Sequence, residues 1–388
     1  MPLKLKPLDQ QVIIITGASS GHGLATARKA AKAGAHVVLV ARDEVALRRV
    51  RDDIRAAGGQ AEHVAADVGE EAEVERVAAF ALERFGGFDT WVNNAGIGIY
   101  AELADTPTAD HRRLFETNYW GVVYGSLTAV RHFRGKPEGG ALINVGSVNS
   151  DMSSPLLGAY NASKHAVKGF TNSLRIEMIA AKAPVSVTLI KPSAIGTPFP
   201  EHGRNLTGSE ARLPPPVYSP ELVADAILYA AQHPRRAITV GMAGRAQVFG
   251  QTTTPSLFDR IASLMGSALV DESKPVGRVE GNLYAPAGDD GRVEGKQRGR
   301  GFSVYTAAET HPRLVAGGLV LAGMGLAAFL ARKPIAKTAG RAALAAAPAL
   351  ATARAKAPDL RHLSHRGRHA AAAGLRRSRQ HLGSLRSA

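Results

Sequence analysis

Tyr160 and Lys164 stand four residues apart, so on a helix they would share one face. A free phenol has a pKa of about 10 and is a poor base at neutral pH. An ammonium beside it favours the phenolate and draws that pKa toward working pH, which would make Tyr160 a general acid/base. Taken alone, a Tyr-x-x-x-Lys pair is more often an ordinary surface pair, so its companions decide the reading. Ser147 closes the run Ile143-Asn144-Val145-Gly146, and its hydroxyl could donate to a substrate carbonyl. Asn118 falls inside a long helical stretch, where asparagine is disfavoured. Holding a water beside Lys164 would give it a reason to be there. Together these groups describe proton transfer at a carbonyl or alcohol oxygen.

A second set of residues suits a dinucleotide. Thr16-Gly17-Ala18-Ser19-Ser20-Gly21-His22-Gly23 follows a short apolar run and precedes an amphipathic one. Gly17 would allow the tight turn, Gly21 would let the backbone approach a pyrophosphate, and Gly23 would let helix and strand pack closely. The phosphates would then sit at the positive end of the helix, beside Ser19 and Ser20. The second predicted strand ends Val40-Ala41-Arg42. It offers no carboxylate for a ribose 2′-hydroxyl, and Arg42 offers a fork suited to a 2′-phosphate. This favours NADP(H), with NAD(H) as the alternative. In the competing reading Arg42 is a solvated charge at a helix start and Asp43 is the N-cap.

The elements that must position these residues are legible in the hydrophobic pattern. Short β-branched runs at 12–15, 36–40, 61–65, 90–92, 141–145, 185–190 and 237–240 alternate with helical stretches at 23–34, 43–57, 70–85, 112–134, 158–181 and 221–232. Such alternation predicts an α/β fold with a doubly wound, seven-stranded parallel sheet, with ligands at the carboxyl ends of the strands. Residues 193–218 are rich in Pro and Gly and read as a substrate-covering lid. Phe199, Leu206 and Tyr218 in that lid, with Met152 and Leu156 near Ser147, suggest an apolar pocket, although each could equally be core.

With these motifs in order, the chain resembles the short-chain dehydrogenases/reductases, Rossmann-fold oxidoreductases, over residues 10 to about 245. The matching features are the 16–23 loop, Asp67-Val68, Asn93-Asn94-Ala95-Gly96, Asn118, Ser147, Tyr160 to Lys164, and Pro192 with Thr197. The resemblance implies that Tyr160 is the acid/base and that Lys164 lowers its pKa and holds the nicotinamide ribose. Ser147 would orient the substrate oxygen and Asn118 would anchor a relay water. Asp67 and Val68 would contact adenine, Asn94, Ala95 and Gly96 would line the cofactor cleft, and Thr197 would reach the carboxamide. It also implies a small carbonyl or alcohol substrate, and a dimer or tetramer formed through the Asn118 and Tyr160 helices. The chain departs from the family at His22, where an aliphatic residue is usual, and at Ser193, where glycine is common. His22 could meet a phosphate or pack.

Composition bounds the remainder. The 388 residues include no cysteine, which excludes disulfides, thiolate catalysis and cysteine-ligated metal, and no metal site is expected. No secretory signal is visible, so the expected location is cytoplasmic. The net charge of +15 is unevenly placed: residues 1–260 hold 28 basic and 25 acidic side chains, whereas residues 332–388 hold 13 and 1. The expected organisation is a catalytic domain over 1–260, a polar Gly-rich linker over 261–311, an apolar segment over 312–331 and a basic Ala/Arg-rich tail over 332–388. The uncharged run 314–330 is short for a span, and spanning would export the basic tail. A membrane-surface contact through 312–388 is the alternative, and with it goes a second reading of the chain as a non-catalytic dinucleotide-binding module tethered to a membrane or partner by its tail. The tail has no aromatic residue for base stacking, which argues against specific nucleic-acid binding.

Overall fold

The computed structural model describes residues 3–310, apart from 287, 289 and 290, together with Met324. The chain divides into two units, Met1–Val320 and Leu321–Ala388, and the first carries everything reported below. The apolar run 314–330, apart from Met324, and the basic tail 332–388 lie outside the described residues.

The centre is a seven-stranded sheet. Its strands are β1 (Val12–Thr16), β2 (His36–Ala41), β3 (Gln60–Ala65), β4 (Thr90–Asn93), β5 (Gly140–Val145), β6 (Val185–Pro192) and β7 (Ala237–Val240). The spatial order is β7-β6-β5-β4-β1-β2-β3, and every neighbouring pair is parallel. Side-chain alternation builds a core on each face. Ile13, Ile15, Val37 and Leu39 point into one apolar cluster, while Ile14, Val38 and Val40 point into the other. Helices α1 (Gly21–Lys32) and α2 (Glu44–Ala56) lie over the first cluster. Helices α3 (Glu71–Phe85), α5 (Gly121–Arg134) and α6 (Gly158–Ala180) cover the second. Chain order reverses at β1, between β2 and β4, which opens a crevice beyond their carboxyl ends.

Three segments differ from the sequence expectations. The helix expected over 112–134 begins earlier, as α4 (Thr108–Phe115), and joins α5 through a π-helical turn, Glu116–Trp120, that contains Asn118. The segment 193–218, expected as a lid, contains a short helix, Phe199–His202, and takes part in two short pairings: Ile99–Tyr100 with Arg204–Asn205, and Ser209–Ala211 with Val270–Pro275. Residues 261–311 are not a free linker as far as they are described. Val270–Pro275 pairs with the lid, Leu283 is fully buried, and helix Val304–Thr310 packs near β7. Main-chain and side-chain hydrogen bonds, with buried Leu269, Val270 and Leu283, hold a segment whose polar composition suggested freedom.

Candidate active site

The glycine loop does what its spacing requires. Gly17 has φ 65°, and a Cβ there would stand 2.8 Å from the Ala95 Cα. A Cβ on Gly23 would stand 2.1 Å from the Gly17 carbonyl oxygen. Asn94 locks the loop from β4: its Nδ2 donates to the carbonyls of Thr16 at 2.8 Å and Gly17 at 3.2 Å. The Asn94 carbonyl oxygen therefore faces His22, whose Nδ1 must carry the hydrogen it donates across 2.6 Å. Burial holds the His22 imidazole down at about 4, so near neutral pH it brings no positive charge to a phosphate.

These residues line one cleft. Gly17, Ser19, Ser20, Gly21, His22 and Gly23 form its floor, and Asn94, Ala95 and Gly96 form one wall. Arg42, Asp67 and Val68 lie at its far end, and Thr197 closes the near end. Asp43 caps α2 by accepting from the Ala46 N–H at 2.9 Å, as the competing reading of this corner required, yet Arg42 still lines the cleft. Asp67 is paired with Arg113 on α4, and its Oδ1 accepts from the Gly69 N–H at 2.9 Å. Asn282 and Pro286, from the segment expected as linker, also line this cleft.

A second cleft of about 160 Å³ adjoins the first and shares His22, Asn94, Gly96, Thr197 and Phe199 with it. Tyr160, Lys164, Ser147 and Pro192 line it. Ser147 leaves β5 as the N-cap of a short 3₁₀ helix, Val148–Ser150, which fixes its hydroxyl at the carboxyl edge of the sheet. Its Oγ accepts from the Asn149 N–H at 3.1 Å. Lys164 is buried on α6 and donates to the Val145 carbonyl at 2.9 Å, with its Nζ 5.6 Å from the Tyr160 ring centre. Burial pushes the Tyr160 phenol up to about 12, and a hydrogen bond with Ser147 works against that rise. Burial also brings the Lys164 ammonium down to about 8. Spacing alone suggested a tyrosine tuned toward neutrality. In the protein without ligand, desolvation dominates at both groups.

Asn118 lines neither cleft. It sits behind Gly96, with its Oδ1 accepting from the Ile97 N–H at 2.9 Å and its Nδ2 donating to the Ile97 carbonyl at 3.0 Å and to Ser163 Oγ at 3.1 Å. The side chain thus ties the exit of β4 to α6. A Cβ on Gly96 would stand 3.6 Å from Asn118 Oδ1 and 3.7 Å from Lys164 Nζ, so the two groups flank the same glycine.

The rest of the second cleft is mixed, with Asn149, Ser154, Ser193 and Gln247 beside a larger set of apolar residues. Phe199 and Met152 line it, with Tyr100, Leu157, Leu213, Met265 and Leu269. Tyr218 packs instead in the core under α1, and Leu206 and Leu156 pack beside other buried clusters. Met265, Leu269, Asn282 and Pro286 were not anticipated, because isolated apolar or polar residues in a Gly-rich stretch carry no periodic signal. Of the charged side-chain types, Lys164 and His22 line this cleft and no carboxylate does, among the described residues.

The glycine loop, the α1 N-terminus and the guanidinium at the far end fit a dinucleotide. Comparison with known proteins agrees. Residues 11–205 match the short chain dehydrogenase family. The chain is 43% identical over 325 residues to the uncharacterized oxidoreductase YxnA of Bacillus subtilis, covering 83% of this chain and 91% of that protein. It is 33% identical over 205 residues to an NADP-dependent (R)-specific alcohol dehydrogenase of Lentilactobacillus kefiri, covering 52% of this chain and 79% of that enzyme. Among solved structures, a short chain dehydrogenase/reductase from Burkholderia phymatum in complex with NAD superposes with a TM-score of 0.59 and 31% identity, over 65% of this chain and 96% of that one.

Proposed function

This chain belongs to the short chain dehydrogenase family, and on that premise we propose that it is an NADP(H)-dependent oxidoreductase acting on an uncharged, apolar ketone or secondary alcohol. The observation that carries this reading is the convergence of Tyr160, Ser147 and Lys164 on a cleft continuous with the glycine loop. The bound dinucleotide supplies or accepts the hydride. In the reductive direction the Tyr160 phenol, held protonated by burial, donates its proton to the carbonyl oxygen. Ser147 donates a hydrogen bond to the same oxygen and orients it. The Lys164 ammonium stabilises the phenolate as it forms. Asn118 acts as a positioning residue, because it holds Ile97 and Ser163 in place around Gly96 and Lys164.

Arg42 at the far end of the first cleft supports NADP(H) over NAD(H). Among the described residues no carboxylate lines the second cleft, and Lys164 is buried against the Val145 carbonyl; both support an uncharged substrate. Apolar side chains left exposed on the outer faces of α5 and α6, including Leu127, Ile176 and Ile179 with Trp120 just before α5, support assembly through those helices. The test is a panel of apolar ketones followed by NADPH absorbance. Turnover is expected with NADPH above that with NADH. Tyr160→Phe should lower it on the order of 10²–10⁴-fold, while NADPH still quenches protein fluorescence. Full turnover by Tyr160→Phe would refute the assigned chemistry.

A further inference from the structure

The segment after residue 278 lies along the outer edge of the nucleotide cleft. Val279 exchanges main-chain hydrogen bonds with Asn205 of the lid, at 2.8 and 2.9 Å. Gly281 then turns with φ 59°, tight enough that a Cβ would stand 2.4 Å from the His202 carbonyl oxygen. That turn brings the Asn282 N–H to the same carbonyl at 2.8 Å. Leu283 plugs an apolar cluster with Ile97, Ile99 and Leu114. The Tyr284 hydroxyl donates to Asp110 Oδ1 on α4 at 2.7 Å. Further on, the Gly291 N–H donates to the Ser19 carbonyl at 2.8 Å, and the Gly21 N–H donates to the Arg292 carbonyl at 2.9 Å. The arm is therefore fastened to the lid, to α4 and to the glycine loop itself.

Its contacts at the far end of the cleft concern the cofactor. The Arg42 guanidinium donates to the main-chain carbonyls of Asn282 and, at 3.4 Å, Leu283. Arg113 donates to the Leu283 carbonyl at 3.1 Å while pairing with Asp67. The arm thus holds Arg42, which lines the cleft, and Arg113, which pairs with Asp67. Asn282 lines the cleft, and its Oδ1 is buried without a hydrogen-bond partner among the described residues. A buried amide oxygen left unpaired is destabilising unless a ligand satisfies it. The adenosine half of a dinucleotide carries suitable donors: the adenine amino group and the ribose hydroxyls.

We propose that Asn282 is a cofactor-binding residue supplied by the arm, whose Oδ1 accepts a hydrogen bond from the adenosine half of the dinucleotide. This rests on the dinucleotide reading above. The match to the Bacillus subtilis relative covers 83% of the 388-residue chain and so spans residues 279–292 wherever it begins.

The experiment is fluorescence titration of the full chain with NADPH, with competition by 2′,5′-ADP and by nicotinamide mononucleotide. Asn282→Ala is expected to raise the Kd for NADPH and for 2′,5′-ADP together, by about three- to tenfold, and to leave nicotinamide mononucleotide unchanged. An unaltered Kd for both adenosine ligands overturns the proposal and leaves the dinucleotide reading standing. A wild-type chain that binds no NADPH overturns both. Hydrogen exchange on the wild-type chain gives an answer independent of whether the variant folds. Amides of 279–286 should gain protection when NADPH is added, and an unchanged rate there overturns the proposal.

Discussion

At the residue scale, burial shapes the chemistry more than proximity does. Lys164 and Tyr160 share a helix face as their spacing requires, yet the same desolvation that raises the phenol lowers the ammonium to about 8. The consequence for pH follows from the charges. Tyr160 stays protonated through the neutral range and can donate. Lys164 is charged below about 8 and loses its proton above it, and with it the stabilisation of the forming phenolate. The expected profile of kcat/KM for ketone reduction is therefore level from pH 6 to 7.5 and falls as pH rises through about 8. Lys164→Arg, which keeps its charge at every accessible pH, should move that fall upward even if the plateau is lower. A wild-type profile that is flat to pH 10, or a fall that stays put in Lys164→Arg, would remove Lys164 from this role.

At the scale of elements, the tightest constraint is the crossing of the glycine loop and α1. Gly23→Ala places a methyl 2.1 Å from the Gly17 carbonyl oxygen and 2.4 Å from Asn94 Nδ2, which is backbone and a committed amide respectively. The loop must shift, at about 1–3 kcal/mol. NADPH affinity should fall at least tenfold while far-ultraviolet circular dichroism is retained, and an unchanged affinity would mean that the loop does not hold the nucleotide. This crossing was legible because strand, glycines and helix follow one another along the chain. The sheet was legible for a similar reason: residues such as Ile13 and Ile14 face opposite cores, so the β-branched runs announce themselves. Asn118 was legible as an anomaly but not as a π-helical turn, since an i→i+5 bond leaves no periodic mark. The arm was illegible because its order rests mostly on main-chain carbonyls and one glycine turn, with Leu283 and the Tyr284 hydroxyl as isolated side-chain anchors. A Gly-rich polar stretch looks the same whether or not carbonyls such as that of Leu283 have found an arginine.

At the scale of the molecule, α5, α6 and the turn before α5 expose apolar side chains among the described residues. Trp120 is 45% exposed, Ile176 67% and Ile179 69%. On the proposed assembly through these helices, Trp120→Glu combined with Ile176→Glu should give a monomer by light scattering where the wild-type chain gives a larger mass. A variant that keeps the wild-type mass would move the interface elsewhere. The nucleotide cleft, by contrast, is made from distant parts of one chain, with Gly17 on its floor and Pro286 on its rim. A ribosome releases the floor early and the rim late. The nascent chain can settle its strands before it owns a complete nucleotide cleft, and a fragment trimmed after β7 for ease of expression would inherit Tyr160 without that rim. For this protein, the apparent economy of a minimal Rossmann domain would come at the expense of the grip on its coenzyme.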